Sequence, residues 1–360
     1  MDKAASLVAD LLAFIAQDAC TDDQFDQLAL RQFAYQYESN TPFRSFCQRR
    51  GATLRNVKTW SDIPAVPIDA FKAMELRSEP ASATERVFMT SGTTGRAARG
   101  RHFHPQPDVY DLSMKRYFAQ RFMQGAERLP MAILFPDEQA MPNSSLAHYL
   151  ALAKSEFGTP DSRYFLGSEG LDMPGLCAAL EESQRSGQPY ALLGASFSLV
   201  HVMDALRAQG LRFQLPAGSR ILDTGGYKGQ SRELPLEEFY ADLSDLLGVP
   251  RTHCINMYGM TELSTQFYDD GNAVLPSVKS GPHWIRSRLV EPITGRSVAA
   301  GERGILVHCD LANYNSVSTI LTEDVGLWAD GGFLLLGRAE GGAAKGCSLA
   351  VDEFVKAASA

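Results

Sequence analysis

The sequence predicts an α/β protein in which a largely parallel sheet is flanked by helices. From residue 86 onward, short apolar runs alternate with segments that carry apolar residues at helical spacing. Strands that alternate with helices of this length imply βαβ crossovers and a sheet covered on both faces. The strand candidates are Val87–Met89, Ala132–Phe135, Ala191–Leu193, Ile221–Leu222 and Cys254–Met257, and the helix candidates span 107–123, 143–157, 173–186, 196–208 and 235–247.

The two ends of the chain follow other patterns. Near the N-terminus, apolar residues such as Leu7, Leu11 and Phe14 recur at helical spacing, and the first 40 residues predict two amphipathic helices. After residue 300 the pattern becomes antiparallel, with strand candidates at 304–309 and 333–336. A turn between them completes a predicted hairpin.

The C-terminal tail is predicted to be a separate, mobile element. Its stretch 341–346 is rich in glycine and flexible by composition. We therefore predict a large domain over residues 1–320, with a helical lead-in over 1–60, and a small segment over 321–360 that holds the hairpin and the tail.

Composition limits the class of function. Hydrophobic residues make up 45% of the chain and charged residues 21%, the balance of an ordinary globular protein. The net charge of −8 argues against nucleic acid or an anionic membrane as the main partner. No apolar run approaches the ~18 residues of a membrane span, and the 6 cysteines form no CxxC pair. We therefore expect a cytoplasmic protein that neither inserts into membranes nor binds nucleic acid.

The most informative loop follows the first strand candidate. It consists of Thr90, Ser91, Gly92, Thr93, Thr94 and Gly95. Its glycines let backbone N–H groups approach an anion, its hydroxyls add donors, and Arg96, Arg99 and Arg101 add positive charge. This combination suits a polyphosphate, although it is not the Walker pattern. The structural alternative is a turn between two strands.

Two other strand candidates also end in polar or glycine-rich residues. The run ending at Leu222 leads into Asp223 and then Gly225-Gly226-Tyr227, and the run ending at Met257 leads into Tyr258-Gly259-Met260-Thr261-Glu262. In parallel sheets, ligands bind beyond the carboxyl ends of the strands. The three strand ends together therefore predict a binding site at one edge of the sheet.

These motifs resemble those of the adenylate-forming superfamily, which includes acyl-CoA synthetases, luciferases and peptide-synthetase adenylation domains. Thr90–Gly95, Tyr258–Glu262, Asp324 and Gly337-Arg338 occur in the same order there. Within the superfamily, the short chain and the ending Lys345–Leu349 look most like the acyl-protein synthetases. These are the fatty-acid-activating component of the bacterial bioluminescence fatty acid reductase complex. The resemblance covers roughly residues 60–360 and implies their fold.

The resemblance implies that ATP binds along these motifs. The Thr90–Gly95 loop, including Thr94, would hold the phosphates. Gly225, Gly226 and Tyr227 would pack on adenine, whereas Tyr258 and Gly259 would border the adenine and the acyl pocket. Thr261 would lie near the α-phosphate, and Asp324 would bind the ribose hydroxyls.

The resemblance also implies residues that take part in the chemistry. Glu262 matches the glutamate that binds Mg²⁺, and Arg338 lies at the hinge motif, where it would contact the nucleotide. Cys347 aligns with the near-C-terminal cysteine that receives the acyl group. A thiolate both attacks readily and leaves readily. We expect Lys345, and a helix that begins near Ser348, to lower the pKa of this thiol.

Two departures from the superfamily pattern affect the site. The usual lysine after the first motif is Arg99, which keeps the charge but changes its shape. The chain continues for only 22 residues after Arg338, so the larger C-terminal domain with its catalytic lysine is expected to be missing. Lys228, Lys345 or a residue of a partner protein are the candidates for the missing cation.

Three functions are compatible with these features. The first is ATP-dependent activation of a carboxylic acid, a fatty acid by resemblance, followed by transfer to Cys347 and delivery to a reductase or acyltransferase partner. The second is a CoA ligase of the phenylacetate type, in which free CoA replaces Cys347. The third is a catalytically silent nucleotide-binding subunit that scaffolds a reductase.

Overall fold

A computed structural model describes residues 3–90, 99–227 and 229–358. Its helices are α1 (Lys3–Ile15), α2 (Asp22–Ser39), α3 (Thr41–Arg49), α4 (Ala70–Ala73), α5 (Asp108–Phe118), α6 (Ser145–Phe157), α7 (Met173–Ser186), α8 (Ser196–Ala208), α9 (Leu236–Leu247) and α10 (Gly341–Ala358). Its strands are β1 (Val66–Pro67), β2 (Arg86–Met89), β3 (Arg101–His104), β4 (Met131–Leu134), β5 (Arg163–Tyr164), β6 (Leu166–Gly167), β7 (Gly170–Leu171), β8 (Ala191–Ala195), β9 (Arg220–Thr224), β10 (Cys254–Tyr258), β11 (Phe267–Tyr268), β12 (Val278–Lys279), β13 (Ile285–Val290), β14 (Gly304–Asp310), β15 (Thr319–Ala329) and β16 (Gly332–Arg338). Within these residues, none of the helices has the length and hydropathy needed to cross a membrane.

Capping residues explain where several helices begin and end. The Thr21 hydroxyl accepts a hydrogen bond from the N–H of Gln24, and the Gln24 side chain accepts one from the N–H of Thr21, so a capping box starts α2. The Asp172 carboxylate accepts from the N–H of Gly175 at 2.9 Å and starts α7. Gly187 ends α7 with a φ of 73°, which favours glycine. These local signals explain why the predicted bounds of α7 are confirmed.

One compact unit comprises Tyr117–Gly259 and Gln266–Ser280, and we call it the parallel-sheet unit. Its strands lie in the order β5-β4-β8-β9-β10-β11, and only β10 and β11 run antiparallel to each other. The helices α8 and α9 are the crossovers between β8, β9 and β10. β4, β8 and β9 are buried along their whole length, as in sheets covered on both faces. The predicted α/β fold is confirmed.

The other compact unit comprises Met1–Arg116, Met260–Thr265 and Gly281–Ala360, and we call it the antiparallel-sheet unit. Its strands lie in the order β16-β15-β14-β13, with β1 parallel to part of β15. Helix α10 contacts α3, β1 and β15. An apolar cluster lies beneath it and includes Val290, Val307, Leu321, Cys347 and Ala350.

Three expectations about the chain differ from the structure. β2 pairs with β3 in an antiparallel hairpin, so Val87–Met89 does not join the parallel sheet among the described residues. The glycine-rich stretch 341–346 forms the first turns of α10 instead of a flexible linker. The predicted boundary at residue 320 falls within β15, whose hydrogen bonds to β14 keep both sides of it in one compact unit.

Candidate functional site

In the antiparallel-sheet unit, Thr90 and Gly100 are hydrogen-bonded to each other on either side of the segment that contains the Thr90–Gly95 loop. We call this pair of residues the neck of the loop. The N–H of Thr90 donates to the carbonyl of Gly100 at 3.0 Å, and the N–H of Gly100 donates to the Thr90 hydroxyl at 2.9 Å. The backbone packs closely here, because a Cβ on Gly100 would lie 3.1 Å from Cγ2 of Thr90, tighter than most Cβ contacts, and 3.5 Å from Oε1 of Glu262. The neck therefore holds Thr90 and Gly100, which bound the segment that contains the loop, beside the Glu262 carboxylate.

Several predicted residues of this loop lie outside the described residues. They are Ser91, Gly92, Thr93, Thr94, Gly95 and Arg96. Lys228 and the side chain of Lys345, two candidates for the missing cation, also lie outside them. Arg101 is described, and its guanidinium lies 3.0 Å from the carboxylate of Glu75.

Glu262 is a buried carboxylate at this neck. The residue is only 4% exposed, and burial raises the pKa of its carboxyl group from 4.5 to about 7. The charge of Asp69 raises the pKa further, whereas Lys72 and Arg338 lower it. At neutral pH this carboxyl group is therefore partly protonated, and a cation placed beside it would favour its ionised form.

Thr261 is positioned by a buried histidine. Nδ1 of His102 lies 3.0 Å from the carbonyl oxygen of Thr261, and Nε2 lies 3.0 Å from the Ser316 hydroxyl. Burial lowers the pKa of His102 to about 4, so the ring is neutral at pH 7. Because a carbonyl only accepts, Nδ1 carries the proton and Nε2 accepts from Ser316. His102 thus fixes the backbone one residue before Glu262.

We expect His102→Leu to lower the free energy of unfolding by about 2–4 kcal/mol, because it leaves two buried polar groups without their partner. Unfolded histidine binds a proton below its ordinary pKa of 6.5, whereas folded His102 stays neutral down to about 4. Wild-type stability from this group is therefore lost as the pH falls from 6.5 towards 4, on the order of 3 kcal/mol.

Urea unfolding at pH 5 and pH 7 measures this effect. The difference between the two pH values should be smaller in His102→Leu than in the wild type. His201→Leu, at an exposed position of α8, is the control and should keep the wild-type difference. Equal pH dependence in wild type and His102→Leu would show that His102 is not the neutral, buried group described above.

The last residue of β14 and the buried loop that follows it hold the rest of the Thr261–Thr265 segment. The Asp310 carboxylate accepts from the N–H groups of Ser264 and Thr265, each at 2.9 Å, and from the Thr265 hydroxyl at 2.7 Å. The amide of Asn313 donates to the carbonyl of Glu262 at 2.8 Å. Burial raises the pKa of Asp310 to about 6. Asp310 and Asn313 are positioning residues that the sequence analysis missed, and the signal was the polar side chains in the buried run after β14.

Asp324 and Arg338 lie opposite each other on β15 and β16. Nε of Arg338 is 3.6 Å from Oδ1 of Asp324, and Nη1 is 3.0 Å from the carboxylate of Glu323. Asp324 is 9% exposed, whereas the Arg338 side chain is 67% exposed. The structure therefore brings together two predicted nucleotide contacts, with the arginine facing solvent.

Cys347 lies in the interior of α10 and is 3% exposed. Its Sγ is 3.9 Å from the carbonyl oxygen of Thr322 on β15. Burial raises the pKa of this thiol, and the carboxylates of Glu323 and Asp324 raise it further. The expectation of a lowered pKa is wrong for this arrangement, because α10 begins at Gly341 and Cys347 is not at its N-terminus.

The parallel-sheet unit holds the other predicted residues at the ends of β9 and β10. These strands are adjacent, with Thr224 opposite Met257, so both ends lie at one edge of the sheet. Gly225 has a φ of 71°, and a Cβ there or on Gly226 would meet no atom within 4 Å. This leaves an open backbone surface that a flat ring can approach. Of the three strand ends predicted at one edge of the sheet, those of β9 and β10 lie together, whereas the end of β2 belongs to a separate hairpin.

Side chains fix this edge of the sheet. The Tyr227 hydroxyl donates to the carbonyl of Leu234 at 3.0 Å, and the Tyr258 ring centroid lies 5.7 Å from that of Phe267. Gly259 follows directly, and a Cβ on it would lie 3.2 Å from Sδ of Met257. Aromatic rings and close packing therefore hold both strand ends.

A buried carboxylate supports the same edge. Asp223 accepts hydrogen bonds from Ser196 and Tyr240, both at 3.0 Å, and from Asn256 at 2.8 Å. The Ser196 hydroxyl is also 3.2 Å from the carbonyl of Gly225. Burial raises the pKa of Asp223 to about 6. Sequence reasoning assigned no role to Ser196 or Asn256, which reveal themselves only through this network.

The described residues contain no group of three or more His, Cys, Asp or Glu side chains arranged to hold a metal ion. A lone buried carboxylate nevertheless suits Mg²⁺, which commonly takes one or two carboxylates together with substrate phosphates. Glu262 fits that arrangement, because it lies beside the neck of the predicted phosphate loop.

The chain is similar to known proteins in sequence and in fold. The family model described as "Acyl-protein synthetase, LuxE" matches residues 6–355. Two relatives named "Long-chain-fatty-acid--luciferin-component ligase" are 24% identical, one from Vibrio harveyi (82% of this chain, 76% of the relative) and one from Aliivibrio fischeri (84% and 78%). A solved 2-hydroxyisobutyryl-CoA ligase in complex with 2-HIB-AMP and CoA superposes with a TM-score of 0.62 at 15% identity, over 89% of this chain and 69% of that one. At this identity the likeness shows a shared fold.

Proposed function

The chain belongs to the acyl-protein synthetase (LuxE) family, and from this premise we propose that it activates a long-chain fatty acid with ATP and transfers the acyl group to Cys347. The name of the two relatives specifies a long-chain fatty acid as the acid and a ligase as the type of enzyme. The observation that carries the proposal is the Glu262 carboxylate beside the neck of the Thr90–Gly95 loop, in the unit that also holds Asp324, Arg338 and Cys347.

The first half-reaction forms an acyl-adenylate. An oxygen of the fatty acid carboxylate bonds to the α-phosphorus of ATP, and the bond from that phosphorus to pyrophosphate breaks. Two anions must approach each other, so the site must neutralise charge and align the reactants. Glu262, with the ATP phosphates, would hold a magnesium ion, which supplies Lewis-acid stabilisation of the phosphate charge when bound. Thr261, fixed by His102, would present its hydroxyl near the α-phosphate, and Asp324 would bind the ribose.

The second half-reaction moves the acyl group to sulfur. The Cys347 thiolate attacks the acyl carbon, a carbon–sulfur bond forms, and AMP leaves with the electrons of the broken carbon–oxygen bond. A thiol that is 3% exposed and whose pKa burial raises does not react where it lies. We therefore propose that α10 leaves the sheet during this step and then passes the acyl group to a partner reductase or acyltransferase in the cytoplasm.

Pyrophosphate exchange with a panel of acids tests the first half-reaction. We expect exchange that depends on added long-chain acid; no exchange with any acid of the panel would favour the silent subunit. Labelling of the chain by radioactive acid and ATP in the absence of CoA tests the second half-reaction. Label that appears only on added CoA would favour the CoA ligase of the phenylacetate type.

We predict that Thr94→Ala slows adenylation about a hundredfold without abolishing it, because one well-placed donor contributes ~3 kcal/mol to a charged transition state. Initial rates of acid-dependent pyrophosphate exchange measure this. Thr84→Ala, before β2, is a control outside the loop and should retain wild-type exchange. Wild-type exchange in Thr94→Ala would show that the phosphates bind elsewhere.

A further inference from the structure

A cavity of about 300 Å³ lies next to Cys347 in the antiparallel-sheet unit. One wall is a single face of α10, formed by Gly346, Leu349, Ala350 and Glu353, which follow the i, i+3, i+4, i+7 spacing of one helix face. The floor comprises Val290, Val307 and Leu321, from three neighbouring strands. The cavity therefore lies between the helix that carries the thiol and the sheet.

The cavity and the thiol share their walls. Val290, Val307, Leu321 and Ala350 line the cavity and also belong to the apolar cluster that contains Cys347. Ala350 is three residues after Cys347, so the two side chains are neighbours on the helix surface. A group attached to Sγ therefore lies next to residues that line the cavity.

The lip of the cavity is apolar and open to solvent. Ile293 is 71% exposed and Leu349 is 54% exposed, and both line the cavity. Charged side chains stand around it, and Arg50 and Glu353 pair there at 2.5 Å. Asp62, Arg288 and Thr294 also line the cavity, so the part that fits a linear hydrocarbon is the apolar strip that runs from the floor to Ile293 and Leu349.

We propose that this cavity holds the acyl chain carried on Cys347 when α10 lies on the sheet. The inference rests on the proposed function, since it requires an acyl group on that thiol. Its volume equals that of roughly ten water molecules, and a methylene group is close to a water molecule in size. The cavity thus takes about ten methylene groups and leaves the end of a longer chain between Ile293 and Leu349.

The shielded chain protects the thioester from hydrolysis. In that reaction the oxygen of water bonds to the acyl carbon, the carbon–sulfur bond breaks, and the products are the free acid and the Cys347 thiol. If hydrolysis requires the chain to leave the cavity, each added methylene slows it by up to about fourfold, as expected for burial of one methylene. The protection stops increasing once the cavity is full.

The test follows the decay of radioactive hexanoyl, decanoyl and tetradecanoyl thioesters on the full-length protein after ATP and free acid are removed. In the wild type we expect the decanoyl thioester to decay at least tenfold more slowly than the hexanoyl thioester. The double variant Ile293→Ser, Leu349→Ser should lose most of this difference. Leu236→Ser, on α9 and 53% exposed, is the matched control and should keep it.

The outcomes separate the two proposals. Equal decay of all chain lengths, with label on Cys347, would overturn the cavity and leave the carrier role standing. No label on Cys347 would overturn the carrier role and the cavity with it. A wild-type dimer that becomes a monomer in the double variant, with unchanged decay, would show that a second copy covers the lip and would also overturn the acyl pocket.

Discussion

Cys347→Ser is expected to form acyl-adenylate at the wild-type rate while covalent labelling of the chain disappears. The first half-reaction uses groups near the loop neck, whereas the thioester requires sulfur. The variant should fold, because serine is close in size to the buried cysteine that it replaces. Pyrophosphate exchange measures the first step, and intact mass after incubation with ATP and acid measures the second.

Accessibility alone would favour other cysteines for labelling. Cys20 and Cys177 are partly exposed, whereas Cys347 is buried. Cys20→Ser and Cys177→Ser are therefore the controls, and both should retain the label. Loss of label in either of them, or its survival in Cys347→Ser, would mean that acylation follows thiol exposure and not a dedicated carrier. Loss of exchange together with label in Cys347→Ser would place the cysteine in the first step.

The parallel sheet was predictable because its signals are local. Helix α8 covers the predicted residues 196–208, and α9 begins one residue after the predicted start at 235. Burial on both faces made β4 and β8 continuous apolar runs. The alternation of strands and helices then placed the ends of β9 and β10, with their glycine and aromatic residues, next to each other.

The tail was not predictable from composition. Its glycines indicated a linker, yet Gly346 lies in α10, where a Cβ would come within 3.0 Å of Cβ of Pro292. Glycine is present there because the helix approaches another segment closely, a tertiary reason that outweighs its low helix propensity. The packing of this helix on β1 and β15 buries Cys347 and so reverses the expected direction of its pKa shift.

The positioning residues were hidden for a different reason. Asp310 and Asn313 meet the Ser264 backbone across 46 and 49 residues of sequence, so no local spacing marks them. β2 looked like a strand of the parallel sheet because the three apolar residues Val87, Phe88 and Met89 do not reveal their pairing partner. Register with β3 is set by the chain that follows the loop.

Glu262→Gln is expected to reduce adenylation about a thousandfold and, at the same time, to stabilise the fold at alkaline pH. The amide has nearly the shape of the carboxyl but carries no charge for a cation, and loss of metal charge stabilisation costs several kcal/mol. The wild-type carboxyl is half ionised near pH 7 because burial raises its pKa from 4.5 to about 7. Magnesium should therefore bind wild-type protein more tightly as the pH rises from 6 to 8.

The free energy of unfolding of the wild type changes with pH in the opposite direction to magnesium binding. The unfolded carboxyl loses its proton near 4.5 and the folded one near 7, so wild-type stability falls as the pH rises between these values, by on the order of 3 kcal/mol. Glutamine removes this loss, and urea unfolding should show the variant to be more stable than wild type at pH 8 and similar to it at pH 4. Glu323→Gln, a carboxylate on β15 that pairs with Arg338, is the control and should keep adenylation within about tenfold. Both changes are predicted from one feature, a carboxylate buried beside the neck. A Glu262→Gln variant that keeps its activity and is no more stable than the wild type at pH 8 would therefore mean that Glu262 does not bind the cation and that its burial does not destabilise the fold.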